Sequence, residues 1–432
     1  MRDLFFVIFV GALLPGIFLH PFTGVLMYVW FSLMNPHQLT WGFARSIPTA
    51  FVIALITLVA FFLDKKRSIP KSPVFILIGC FMVTLTISAI FSLTPEVSWD
   101  LWNRDVKTLF FCLIVFIMTT TKLRIQSLIW IAIVSLGYYG IKGGAFSINT
   151  LGQYQVMGPV GTQIGDNNHL ALALLMTLPL MNYLRLTIQN KWAQYILLFS
   201  ICLTFLAVLT TYSRGGMIGL AAVTIFLWFK SKHKVRSFIF LGILAVAALS
   251  FMPDKFFSRA DTIQTAGLDS SFQGRLDAWN YAWNVAFERP LTGGGLSSTL
   301  VPYIFHRYNV DSKVTAGGRA AHSIYFQVLG DQGFIGLAIY VSILVLSWLN
   351  GAWLIKQTRD LPNYLWVHEL SKMLQVGLIA YMVAGAALSM AYYDLFYIYA
   401  IVLARLRLMV QEVISPKKMF ASARSPSPSS VS

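Results

Sequence analysis

Long apolar runs recur along this chain, and that recurrence settles its fold class before any motif is read. They lie near residues 48–63, 74–92, 108–120, 128–140, 169–184, 195–211, 217–229, 237–252, 334–354, 373–391 and 395–410. A helix that crosses a bilayer needs roughly 20 mostly apolar residues with its flanks. In hydrocarbon only a helix or a closed barrel satisfies its own backbone, and runs this long and unalternating read as helices. Residues 4–34, broken by Pro15 and Pro21, add one long crossing, or a crossing plus an interfacial turn. The expected fold is all-α, a polytopic transmembrane bundle of about twelve helices with both termini on the same side. Composition agrees: 57% of the 432 residues are hydrophobic and 12% charged, against about 25% charged in soluble domains. The N-terminal MRDLFFVIFVGALLPG has no small-residue cleavage site and reads as a retained first span.

The net charge of +16 would suit a nucleic-acid binder, but its distribution points elsewhere. Residues 65–71, 122–124, 185–191, 230–236 and 356–372, the tail from Arg405 and Arg2 together hold 21 of the 33 Lys and Arg. The short polar loops between them hold five. This asymmetry is that of a multi-pass membrane protein with the basic group in the cytoplasm, and it implies membrane lipids, not nucleic acid, as surroundings. The chain then divides into residues 1–252, about nine spans with short loops; residues 253–333, a long outer loop subdomain; residues 334–410, the last three spans; and residues 411–432, a Ser-, Pro- and Lys-rich tail expected to be disordered in the cytoplasm. Cys80, Cys112 and Cys202 lie apart inside apolar runs and imply no disulfide or metal framework.

The outer side carries the chemistry. In AGGRAAHSIYFQVLGDQGFIGL, residues 316–337, a long polar segment hands a histidine to a span. His322, Tyr325, Phe326 and Leu329 are spaced for one face of a helix starting near Ala320, which Gly330 and Gly333 would end. A neutral imidazole at the membrane rim is a suitable base for a hydroxyl; the plainer reading is an interfacial anchor. Arg214, in the short turn TYSRGG, is a charge held near the membrane, where it is costly unless used. Gly215 and Gly216 leave room beside it for a ligand. Residues 274–288 form an apolar-sided helix carrying Arg275 in its first turn, with Trp279 and Trp283 as interfacial anchors before sugar platforms, ended by Pro290 and Gly293 to Gly295.

Arg319, Arg104 and Lys142 could add positive charge to the same mouth. Asp166, Asn167 and Asn168 before His169 read first as helix capping, and Asp331 as a turn residue. There is no Asp-x-Asp pair, no HExxH and no carboxylate cluster at metal-ligand spacing, so the expected chemistry uses no metal and no cofactor. Arginines can instead meet the charge of a departing pyrophosphate by bidentate hydrogen bonds, and the set matches glycosyl transfer from a lipid carrier. A lipid or polysaccharide transporter is the reading from another class; it would place ionisable residues deep in the helices.

With His322-Ser323 followed by Gly333, the Arg275 to Trp279 segment, Pro290 and Gly293 to Gly295, and the long outer loop before a late helix, the chain resembles the bacterial O-antigen ligase and polymerase family. MNPHQLTWGFA, residues 34–44, is also similar to the O-glycosylation ligase subgroup that accompanies exosortase systems. The resemblance implies a GT-C-like membrane glycosyltransferase with a periplasmic helical subdomain and a periplasmic active site. It implies an inverting, metal-independent transfer from an undecaprenyl-pyrophosphate-linked glycan donor to lipid A-core in lipopolysaccharide biosynthesis, or to a growing O-antigen or a protein. It puts the catalytic histidine on His322 and the pyrophosphate arginines on Arg214 and Arg275, with Arg319, Lys142 and His169 secondary. Should His322 not serve, the base moves to Asp166, His169 or Asp331.

Overall fold

The computed structural model describes residues 2–64, 69, 71–231, 233–236, 239, 242–243, 270–309 and 318–422. Among them every regular element is helical. The first apolar region resolves into two helices, α1 (Arg2–Leu19) and α2 (Pro21–Met34). The break falls at His20, whose φ of −138° and ψ of 91° leave the helical region just ahead of Pro21 at the first position of α2. Two short 3₁₀ turns lead to α3 (Thr49–Leu63), and α4 (Pro73–Ile90), α5 (Pro95–Met118), α6 (Lys122–Asn149), α7 (Asn167–Thr187), α8 (Lys191–Thr210) and α9 (Arg214–Lys230) follow. Beyond the outer segment come α10 (Ser270–Glu288), a short α11 (Pro302–Tyr308), α12 (Ile324–Thr358), α13 (Leu365–Gly385) and α14 (Asp394–Ser422).

Six of these, α1, α4, α6, α7, α8 and α12, are long and apolar enough to cross a membrane. The run at residues 237–252, read as a span, lies largely outside the described residues, as do residues 423–432 of the tail. The rest of that tail departs from expectation, since α14 continues to Ser422.

The centre of the bundle is α7, buried along almost its whole length and packed on α6, α8, α9 and α13. The periphery is as apolar as the centre, with Phe5, Leu19, Phe62 and Phe199 exposed, the surface a bilayer requires and water would not tolerate.

Two departures from regular helix position the site. The first is a kink in α12 at Gly333, with φ 69° and ψ −165°, a conformation open essentially to glycine alone. The turn at residues 290–295 docks into it: Phe334 N–H donates to the Pro290 carbonyl (2.9 Å) and Gly294 N–H to that of Gly330 (2.8 Å). A methyl group on Gly293 would stand 2.6 Å from the Gly330 carbonyl oxygen, and one on Gly333 2.5 Å from that of Pro290. The glycines are therefore where two backbones meet. Asp331, expected as a turn residue, is a buried pin: its carboxylate accepts from Ser297 N–H (2.8 Å) and the Tyr392 hydroxyl (3.0 Å).

The second departure is at residues 386–393. The apolar run at residues 373–391 reads as one span, yet α13 stops at Gly385. The freed backbone groups find side chains instead. Tyr381 Oη donates to the Met390 carbonyl (2.8 Å), Tyr397 Oη to that of Ala391 (2.9 Å), and Ala391 N–H donates to Gln327 Oε1 (3.1 Å). Non-helical chain is stable at membrane depth only when buried and satisfied in this way.

Candidate active site

His322 does not lie on a helix, which corrects the expected start near Ala320. α12 begins at Ile324 after an extended Ser323, and His322 has a φ of 43°, an uncommon conformation for a residue with a Cβ. It persists because its neighbours are tied from three sides. The His322 N–H donates to Ser389 Oγ at 2.8 Å, Trp279 Nε1 donates to the Ala321 carbonyl at 2.8 Å, and Arg319 N–H donates to the Thr299 carbonyl at 3.0 Å. Groups that would have entered a first helical turn are thus satisfied elsewhere. Phe326, expected to share a face with His322, stacks on Trp279 with ring centroids 4.9 Å apart and planes within 8°. Trp279 thus clamps the histidine loop. Trp283 is half exposed and packs edge-on to Phe287 and Phe334.

The loop's position brings charge to the imidazole. Arg275 lies one turn before Trp279 on α10. Arg319 runs alongside, its Cδ and Nε each 3.3 Å from where a Cβ on Gly274 would be. His169 and Asp166 at the start of α7 also act on the imidazole. Asp166 Oδ1 caps that helix, accepting from Asn168 N–H (2.8 Å) and His169 N–H (3.4 Å), as its sequence suggested. All four residues act electrostatically on His322. Burial, then Arg275 and His169, hold its pKa below the ordinary histidine value, Arg319 adds to that, and Asp166 opposes it. The ring is therefore neutral at pH 7, with a lone pair available to take a proton.

Arg214 is the exposed first residue of α9, capped by Ser213 Oγ accepting from Gly216 N–H at 2.9 Å. Its turn is pinned by Asn167 Nδ2 and Gln155 Nε2, which donate to the Thr211 carbonyl at 2.9 and 2.8 Å. The expectation that Gly215 and Gly216 leave room for a ligand is not met. Cβ atoms there would lie 3.2 Å from Ala387 and 2.8 Å from Ala171, so both glycines serve close helix packing. That packing nonetheless sets Arg214 against the two elements that frame His322: residues 386–393, which contain Ser389, and the first turns of α7.

Arg104 and Lys142 are also among the cations expected at the mouth. Arg104 forms a salt bridge with buried Asp105, Nε to Oδ1 2.7 Å. Lys142 is on the exposed face of α6, its ammonium 5.9 Å from the Tyr138 ring centroid. Sequence reading missed Ser389 and the clamping contact of Trp279. Neither carries a local signal: a serine in an apolar run looks like any helix-satisfied hydroxyl, and an indole near a membrane looks like an anchor.

Residues 198–341 match the O-antigen ligase family model, and residues 1–189 match a family of unknown function. No curated protein matches the chain. The first match supports an O-antigen ligase family member and spans Arg214, Arg275, Arg319 and His322; the second spans Lys142, Asp166 and His169. Ser389 lies beyond both.

Proposed function

We propose that this chain is an O-antigen ligase family member, a bacterial inner-membrane glycosyltransferase of about twelve crossings. It moves a completed glycan from undecaprenyl pyrophosphate to lipid A-core at a periplasmic site. The observation that carries the reading is His322 in a left-handed conformation, held by Ser389 and Trp279 and within the electrostatic reach of Arg275 and Arg319.

In this mechanism the acceptor hydroxyl attacks the anomeric carbon of the donor sugar from the face opposite the pyrophosphate. His322 takes the hydroxyl proton as the new C–O bond forms. The bond to the pyrophosphate oxygen breaks, the electron pair leaves with it, and the anomeric configuration inverts. Arg275 and Arg214 meet the growing negative charge with fixed donors, the task a metal ion performs elsewhere. Arg319 and His169 border the same space. An O-antigen polymerase or a protein O-glycan ligase would use the same donor chemistry and differ in the acceptor.

The test is transfer by the purified protein from an undecaprenyl-pyrophosphate-linked glycan to lipid A-core. His322→Ala should lower turnover by about 10² to 10⁴, Arg275→Ala and Arg214→Ala by about 10², with Lys restoring little because it lacks the planar fork. EDTA should leave the rate unchanged. Wild-type turnover in His322→Ala would end the assignment of the base, and a core carrying single repeats in a deletion strain would indicate the polymerase.

A further inference from the structure

At the other end of α7 from His169 is a cavity of about 560 Å³ that the glycosyl-transfer reading does not use. Its lining includes Arg185, Lys230, Arg236 and Lys372, with Glu369 as the one carboxylate. Arg185 follows His169 by 16 positions, which at 1.5 Å per residue puts the cavity about 24 Å from the histidine end. Glu369 is taken by Lys372, at 3.0 Å. Arg185 and Lys230 hydrogen-bond neutral oxygens, Arg185 Nη2 to Asn182 Oδ1 at 3.0 Å and Lys230 Nζ to Gln375 Oε1 at 3.0 Å. Three net positive charges thus converge on one opening. From that opening the cavity runs between α7, α8 and α9 against Leu178, Leu220 and Val223.

We propose that this cavity binds one bilayer phospholipid with an anionic headgroup, its phosphate among Arg185, Lys230 and Arg236 and an acyl chain along the apolar wall. Charge at one end and hydrocarbon along the length is the profile of such a lipid, and no soluble anion would need the apolar part. By the distribution of basic residues this is the cytoplasmic leaflet, so the site is distinct from that of the glycan donor and its test does not depend on the donor reading.

Full-length protein in nanodiscs of equal phosphatidylglycerol and phosphatidylcholine, released and stripped stepwise in a native mass spectrometer, should retain one phosphatidylglycerol. The preference should be about 10²-fold, each net basic charge contributing about fivefold. Arg185→Gln combined with Lys230→Gln should lose the retained lipid. Val223→Trp, which keeps every charge and fills the apolar wall, should lose it too. Both should elute as monodisperse protein with the wild-type melting temperature in detergent, which reports that they fold. Equal retention of the two lipids, retention unchanged in both variants, or preferential retention of a polyprenyl phosphate added at equal mole fraction would overturn the proposal.

Discussion

The backbone N–H of His322 donates to Ser389 Oγ across 2.8 Å, joining the loop before α12 to the irregular segment that interrupts the end of α13. This bond holds the imidazole's residue in a left-handed conformation, so under the proposed mechanism Ser389 is a positioning residue for His322. Ser389→Ala would leave the donor unmet, a cost of about 1–3 kcal/mol, and kcat should fall about tenfold. In a His322→Ala background the same change should cost nothing further, because the two act as a unit. Additive losses would mean that Ser389 works by another route.

Trp279 clamps the same loop through its N–H to the Ala321 carbonyl, at 2.8 Å. Trp279→Phe keeps a ring to stack on Phe326 and removes that donor. Turnover should drop roughly fivefold with little change in thermal stability, as one neutral hydrogen bond contributes about 1 kcal/mol. A loss of stability without loss of turnover would make the tryptophan a packing residue only.

The pH profile follows from the field at His322. Burial, then Arg275 and His169, keep its pKa below 6.5, so the imidazole is neutral at pH 7, and in the proposed role of base it would fail once protonated. The kcat/KM profile, which reports the free enzyme, should therefore fall on the acid side with a midpoint below 6.5. Arg275→Gln removes one depressing charge and should move that midpoint upward, whatever it does to the absolute rate. An acid limb that stays in place would show that Arg275 does not act on the base.

Gly333 and Gly330 should respond differently to alanine. At Gly333 the φ of 69° disfavours any side chain and the new Cβ would stand 2.5 Å from the Pro290 carbonyl oxygen; strain of this kind costs about 1–3 kcal/mol before the clash is counted. At Gly330 the Cβ would meet the Ala282 Cβ at 3.2 Å, which a small shift relieves. Thermal unfolding in detergent should show Gly333→Ala about 1–3 °C or more below wild type and Gly330→Ala much closer to it. Equal melting of the two would contradict the docking of residues 290–295 into the kink.

What the sequence determined by itself was whatever acts along the chain. Apolar runs longer than a globular helix needs, Pro21 at a helix start and Asp166 three residues before His169 each work through neighbours in sequence, and the helices α2 to α9 follow from them. The TYSRGG turn and the polar stretch ending in His322 could also be singled out, since charge beside an apolar run is costly wherever the chain goes. Tertiary structure decided the rest. Periodicity put His322 on a helix, but Trp279, Thr299 and Ser389 take the backbone groups of residues 319–322, and no local pattern announces such partners. Hydropathy ran a span through residues 373–391, but Tyr381, Tyr397 and Gln327 satisfy the backbone there and allow the helix to stop. Gly215 and Gly216 read as space, and helices from elsewhere in the chain fill it. Hydropathy and spacing are sums over adjacent residues; a hydrogen bond between residues 67 positions apart belongs to none of those sums, and the site is made of such bonds.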